Sequence, residues 1–461
     1  MRPAADRPRI VVIGGGSYQW VPKLLVDIAN TPSLVESEIV LQDINPEPLG
    51  RMAEWVEHVA AQRSIPLSVR TTTDRPNALA EADYVVVTIS TGGFASMRHD
   101  LEIPRRYGIE QSVGDSVGPG GITRAVRNIP IFLNIARDME EWCPDAWMFN
   151  ITNPMTTICR AVTRETSIRT VGLCHEVTVL QFFLSLLLDV DFREIDLQIT
   201  GVNHFPIVTR CSIGGRDGFE LLTDLLEDPT RFDEPLSIDL PDALGLEKRT
   251  PGRWTRGDLI AANRLKFDLF RRFGALPGAG DRHLAEFFPG FLTAESGWGE
   301  RWGVHLTTID DRERWQGRHL AELDAMFTEP EISRMPSGEL VATAIDSLIT
   351  GHPRNLPLNL PNAGQCPDLP AHVVVESICT VDADGMRGRD RAVAPPVLAE
   401  QLRRVSVAQE LTVEAGVTGN RDAMLAAMHA DPLAGRIDFE ALVRMTDELL
   451  AATAEWLPQF A

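Results

Sequence analysis

The stretch RIVVIGGGSYQW, from Arg9 to Trp20, limits the possible folds of this chain more than any other. A β-branched run from Ile10 to Ile13 empties into Gly14, Gly15 and Gly16, and the apolar-periodic WVPKLLVDIANTP that follows predicts a helix. Strand, glycine turn and helix make a cradle for a pyrophosphate, because glycines admit the backbone closely and a helix start presents free N–H groups. A second apolar run, SEIVLQDINP, ends in Asp43, placed either to bond an adenosine ribose or to shape a turn before Asn45-Pro46. ADYVVVTISTGG, AWMFNITNPMTT and IRTVGLCHEV read as further strands, alternating with helical stretches such as AVRNIPIFLNIARDMEEW. The alternation predicts an α/β fold whose N-terminal part is a doubly wound parallel sheet, with ligands beyond the strand C-termini. GLCHEV, from Gly172 to Val177, then lies on the ligand edge.

With 461 residues the chain is long enough for two cores. After about residue 200 the pattern changes: LQITGVNHFPIVTRCSIGG alternates like antiparallel sheet, HVVVESICTVDADGMR reads as a hairpin, and long helical stretches close the chain. We therefore expect a dinucleotide-binding domain over 1–200 and an α+β domain over 201–461, with no linker between them. A net charge of −21 argues against nucleic-acid partners. No apolar run is long enough to span a membrane and the polar start lacks a signal-peptide pattern, so a cytoplasmic location is expected. The six cysteines show no CxxC spacing and read as free thiols.

Several motifs together resemble glycoside hydrolase family 4, the NAD- and metal-dependent glycosidases. They are GGGSY with Asp43, MRHDLEIPRRYGIEQSVGDSVGPGGITRAVRNIP, NITNPM, GLCHEV, GVNHF and LNLPNAGQCPDLPAHVVVE, in order along most of the chain. The resemblance implies a Rossmann-like first domain and a substrate domain in the manner of lactate and malate dehydrogenases. It also implies that an α-glycoside is cleaved by transient oxidation at sugar C3 with bound NAD+, loss of the C2 proton, elimination of the aglycone, and return of the hydride.

Carried over residue by residue, the resemblance places NAD+ at Gly14, Gly16, Ser17 and Asp43, and Mn2+ or another divalent metal at Cys174 and His204. It makes Asp281 the base for C2, with His283 in reserve, since Tyr18, Tyr84 and Tyr107, the three tyrosines, all fall in the nucleotide half. His175 would protonate or orient the leaving oxygen. Glu176 would orient His175 or touch substrate. Arg98, Asn153, Arg282 and His283 would meet the sugar, and the proline-rich stretch from Gly351 to Pro370 reads as an extended loop near the site. CHEV is similar to the α-glucuronidase and α-galacturonidase branch, and arginines suit a C6 carboxylate. An α-linked uronic acid is the expected substrate, with a neutral α-glucoside or α-galactoside second. A small saccharide is the only partner implied besides further copies of the chain, as a homodimer or homotetramer. The rivals are a 2-hydroxy-acid dehydrogenase and a non-catalytic NAD-bound sensor.

Overall fold

The structure is a computed structural model that describes residues 7–238, 240, 252–332, 334 and 337–460. The polar lead before Arg7 lies outside the described residues. Six strands run parallel: β1 (Arg9–Ile13), β2 (Glu38–Gln42), β3 (Ser68–Thr72), β4 (Tyr84–Val87), β5 (Trp147–Asn150) and β6 (Arg169–Leu173). Their spatial order is β3-β2-β1-β4-β5-β6, the doubly wound arrangement of a Rossmann-like domain. The sheet is buried on both faces, and β1 shows why the strand has to be apolar throughout. Ile10 and Val12 join the core formed with the helices Val21–Ala29 and Glu47–Arg63, while Val11 and Ile13 join the opposite core with Gly118–Trp142. Each such side chain contributes about 1.5–3 kcal/mol by leaving water.

β3 escaped the sequence reading because it is a polar edge strand, SVRTT, none of whose residues is fully buried. Its neighbour β2 supplies the register, from Glu38 opposite Ser68 to Gln42 opposite Thr72.

The second sheet begins with β7 (Ile195–Val202) and β8 (Phe205–Ile213), an antiparallel hairpin closed by Asn203 and His204. β9 (Arg216–Asp217) and β10 (Leu276–Pro277) extend it. The last three strands, β11 (Arg354–Pro361), β12 (Val374–Asp382) and β13 (Gly385–Gly388), return to the first sheet and add to β6 in antiparallel fashion. β12 and β13 form the expected hairpin. β11 corrects the reading of its region as an extended loop: the prolines conceal a strand of eight residues. They are tolerated because β6 pairs only with Leu358 and Asn359, so the rest of that edge of β11 needs no donors. Among the described residues no helix is long and apolar enough to cross a membrane.

The glycine turn after β1 is fixed by packing. Gly14 has φ +86°, and a Cβ there would lie 1.9 Å from the carbonyl oxygen of Thr88. Replacing Gly14 by alanine is expected to cost about 2–4 kcal/mol, from the left-handed backbone and the overlap together. Urea unfolding measures this, and a loss under 1 kcal/mol would contradict the turn as described.

Candidate active site

Gly14 and Gly15 both donate their N–H to the carbonyl of Gln42, at 2.9 and 2.8 Å, which curls the turn over the end of β2. The Gly16 N–H reaches Asp43 Oδ2 at 3.1 Å, while Asp43 Oδ1 accepts from Asn45 N. Ser17 follows, its N–H on the Gly14 carbonyl and its Oγ accepting from Trp20 N. This corner lies at the C-terminal end of β1, between β2 and β4, where the strand order reverses and a crevice opens. Gly14, Gly16, Ser17 and Asp43 are thus together, and a short acidic side chain beside a glycine turn fits an adenosine ribose next to a pyrophosphate.

The second corner of the crevice gathers residues from five segments. Cys174 follows β6, His175 caps the helix Glu176–Leu188, and Glu176 is its first residue. Opposite stands the apex of the β7–β8 hairpin, where His204 takes φ +64°. The helix Asp281–Phe287 brings Asp281, Arg282, His283 and Glu286. The loop before the helix Gly118–Trp142 brings Asp115 and Ser116, and the turn after β5 brings Asn153.

Ligand atoms of Asp115, His204 and His283 lie within 4.8 Å of one another. The two imidazoles stack with centroids 3.7 Å apart. Ser116 Oγ stands 2.6 Å from His204 Nδ1 and 2.7 Å from Asp115 Oδ1, which leaves Nε2 of His204 for a ligand. His283 Nδ1 and Asn153 Oδ1 are buried without a hydrogen-bond partner among the described residues, and Asn153 Nδ2 is 3.5 Å from Asp115 Oδ2. Two imidazoles and one carboxylate with unused buried lone pairs fit a divalent cation, and an oxygen-and-nitrogen set suits manganese.

The electrostatics agree. Burial, and then the neighbouring ring of His204, push His283 down to about 3. Burial also lowers His204, against the pull of Asp115 and Glu176. Both rings are neutral at neutral pH and offer lone pairs. Burial opposes the charge on Asp115, but His283, His204, Arg312 and Arg124 overcome it and hold the carboxyl well below its usual range.

Cys174 is not among the three converging donors. It is buried beside the side chain of Asn203, the chain neighbour of His204, and burial followed by Glu376 and Glu176 raises its thiol well above the ordinary value. A cation would have to displace that proton before the sulfur could bind.

Glu176 Oε2 accepts the Gly280 N–H at 2.6 Å, and its Oε1 is 3.9 Å from His283 Nε2. Burial works against this carboxylate, yet His283, His175, His204 and Lys266 bring it down to about 2. His175 Nδ1 is 3.1 Å from Glu339 Oε1; burial lowers this imidazole, but the Glu339 bond more than restores it and leaves it above the ordinary value. Asp281 accepts two backbone amides, Leu265 at 2.8 Å and Lys266 at 3.0 Å, and burial raises it to about 6 against the pull of Lys266. Arg282 donates to Thr307 Oγ1 and covers the ring of Trp315. Arg98 stands apart. It is 45% exposed on the helix Gly93–Arg106, and its partners are Glu102 at 3.1 Å and Glu313 at 3.7 Å.

Asp115 was missed as a ligand in the sequence, although it stands inside the quoted QSVGDSVGPGG. Its only local signal is an acidic residue in a glycine-rich turn, which alone marks a loop. Ser116, Glu286 and Glu339 carried no sequence signal at all.

The family model described as "Family 4 glycosyl hydrolase" matches residues 9–190, and that of the "Family 4 glycosyl hydrolase C-terminal domain" matches residues 199–434. The chain is 31% identical over 468 residues to an alpha-galacturonidase of Lachnoclostridium phytofermentans, covering 98% of this chain and 97% of the other. It is 29% identical over 458 residues to an alpha-galactosidase of Bacillus subtilis, covering 98% and 99%. Among solved structures, a 6-phospho-alpha-glucosidase from gut microorganisms, in complex with NAD and Mn2+, shares the fold with a TM-score of 0.79 at 18% identity, covering 99% and 100%.

Proposed function

The chain belongs to the family 4 glycosyl hydrolases and is a glycoside hydrolase, and on that premise we propose that it cleaves α-linked galacturonic acid from small saccharides with NAD+ and a divalent metal. The convergence of Asp115, His204 and His283 within 4.8 Å, on the same crevice as the glycine turn, carries this reading. A dinucleotide at the turn supplies a reversible hydride acceptor for sugar C3, and a cation supplies a Lewis acid for the neighbouring oxygens. The proposed metal donors are His204, Asp115 and His283, with Cys174 joining once its proton is displaced.

The other groups then have separate work. Asp281, ionised at neutral pH and fixed by two amides, removes the proton from C2. His175, steadied by Glu339, gives a proton to the departing oxygen. Glu176 holds Gly280, and so the start of the helix bearing Asp281, at its place. Asn153 and Arg282 face the sugar. Arg124 and Arg312 act on the Asp115 carboxylate and Arg282 stands near Arg312, a group of guanidiniums that suits a uronate over a neutral sugar. The relatives named alpha-galacturonidase support the same choice. Arg98, paired with acidic neighbours, is proposed only for the outer part of the saccharide.

A panel of aryl α-galacturonide, α-glucuronide, α-galactoside and α-glucoside, run with and without NAD+ and Mn2+ in deuterated water, tests this. The expected result is cleavage of the galacturonide that depends on both additions, with solvent deuterium at C2 of the product. Cleavage with no deuterium at C2 would overturn the route, preference for a neutral sugar would overturn the substrate, and NADH released in proportion to substrate would mark a dehydrogenase.

A further inference from the structure

Glu286 is buried on the helix that carries Asp281 and His283, three residues past His283, and the reaction as described leaves it unused. Its Oε1 accepts two consecutive backbone amides, those of Val113 and Gly114, each at 2.8 Å. These are the two residues before Asp115. The same short loop is gripped at other points: Ser112 Oγ donates to the carbonyl of Arg282, Thr307 N donates to the carbonyl of Ser112, and Arg312 donates to the carbonyl of Val113 at 2.7 Å. Of these contacts, only the Glu286 carboxyl and the Arg282 carbonyl come from the helix of Asp281 and His283. Gly114 needs the clamp, since its φ of +71° puts it in a conformation with no preference of its own. The far oxygen, Oε2, has no hydrogen-bond partner among the described residues, so nothing else in the surroundings accounts for a buried carboxyl here.

We propose that Glu286 is the positioning residue of the metal centre: it locks the loop of Asp115 to the helix of His283, and so sets the separation of two of the three converging ligands. It touches neither substrate nor the ion and acts through the backbone of its partner loop. This inference rests on the hydrolase reading above, since it presumes that Asp115 and His283 hold a cation.

The test uses two variants. Glu286→Gln keeps an oxygen for both amides, whereas Glu286→Asp withdraws it by one methylene. Mn2+ binding is measured by the loss of the free-ion electron paramagnetic resonance signal, NAD+ binding by calorimetry, and folding by thermal unfolding. For Glu286→Asp we expect Mn2+ affinity to fall by roughly tenfold to a hundredfold, with NAD+ affinity unchanged within twofold. Glu286→Gln is expected to bind Mn2+ within threefold of the parent. A Glu286→Asp protein that binds Mn2+ like the parent overturns the proposal, as does one that loses NAD+ and Mn2+ affinity in equal measure, because the residue then supports the fold at large. A Glu286→Gln protein as weak as Glu286→Asp also overturns it, since the amide clamp would not be what matters. Failure of the parent itself to bind Mn2+ is a different pattern; it removes the reading of Asp115, His204 and His283 as a metal site, and this inference with it.

Discussion

Replacing His204 by asparagine is expected to lower kcat/KM for an aryl α-galacturonide by about 10^3-fold, the loss of several kcal/mol of Lewis-acid stabilisation. Asparagine is the informative substitution. His204 is the second residue of a two-residue hairpin turn at φ +64°, a conformation that asparagine adopts readily and alanine does not. The hairpin should survive, and with it the pairing of Val202 to Phe205 and the core behind it. What disappears is the imidazole itself: its stacking on His283, its bond to Ser116, and a nitrogen donor that a shorter amide cannot replace. The dinucleotide corner is built from β1, β2 and β4 and shares none of these contacts, so NAD+ should bind as before. Turnover across a Mn2+ series, together with NAD+ affinity and the unfolding temperature, measures this. A variant that still hydrolyses in a Mn2+-dependent way would show that the ion sits elsewhere, and Cys174 with the acidic pair Glu176 and Glu376 behind it would be the next place to look.

The contrast between this prediction and the sequence shows what a linear pattern can and cannot carry. The first sheet was legible because both faces of its central strands are buried, so β1, β2, β4 and β5 are largely apolar runs, with glycine, aspartate or asparagine at or just past the ends of β1, β2 and β5. β3 and β11 were not, one because it is a polar edge and the other because prolines occupy a partly unpaired strand. At the site, Cys174, His175, Glu176 and His204 fall on strand ends and a hairpin apex, places where the pattern of the chain itself points to the crevice. Asp115 and Glu286 do not. Their relation crosses more than 160 residues and consists of one carboxyl oxygen and two amides, so it exists only once a loop has packed on a helix. Arg98 is the reverse case: a side chain in a motif that the fold leaves paired with Glu102 and Glu313 on a helix surface.

Asp281→Asn is expected to slow turnover by about 10^2- to 10^4-fold, the usual range for loss of a positioned proton acceptor. The carboxylate has a second duty that bears on how the result is read. Its two oxygens receive the amides of Leu265 and Lys266 at the start of the helix Arg264–Phe273, and its charge faces the buried ammonium of Lys266. Asparagine keeps one acceptor and turns an NH2 group towards the other amide, so about 1–3 kcal/mol of stability should be lost as well. Turnover alone would not separate the two effects. The isotope effect at C2 does, because slowed proton removal makes the breaking of that bond limit the rate, whereas a loosened helix lowers every step alike. With substrate and Mn2+ saturating, and at a temperature well below the unfolding midpoint of the variant, deuterium placed at C2 of the substrate should slow turnover more in the variant than in the parent, while every product molecule still exchanges at C2. His283→Gln provides the comparison: it weakens the metal centre but leaves the Asp281 carboxylate, so its isotope effect should rise less. If the aspartate variant kept the isotope effect of the parent and the histidine variant raised it, the proton would be leaving to His283, and the carboxylate would be only the cap on its helix.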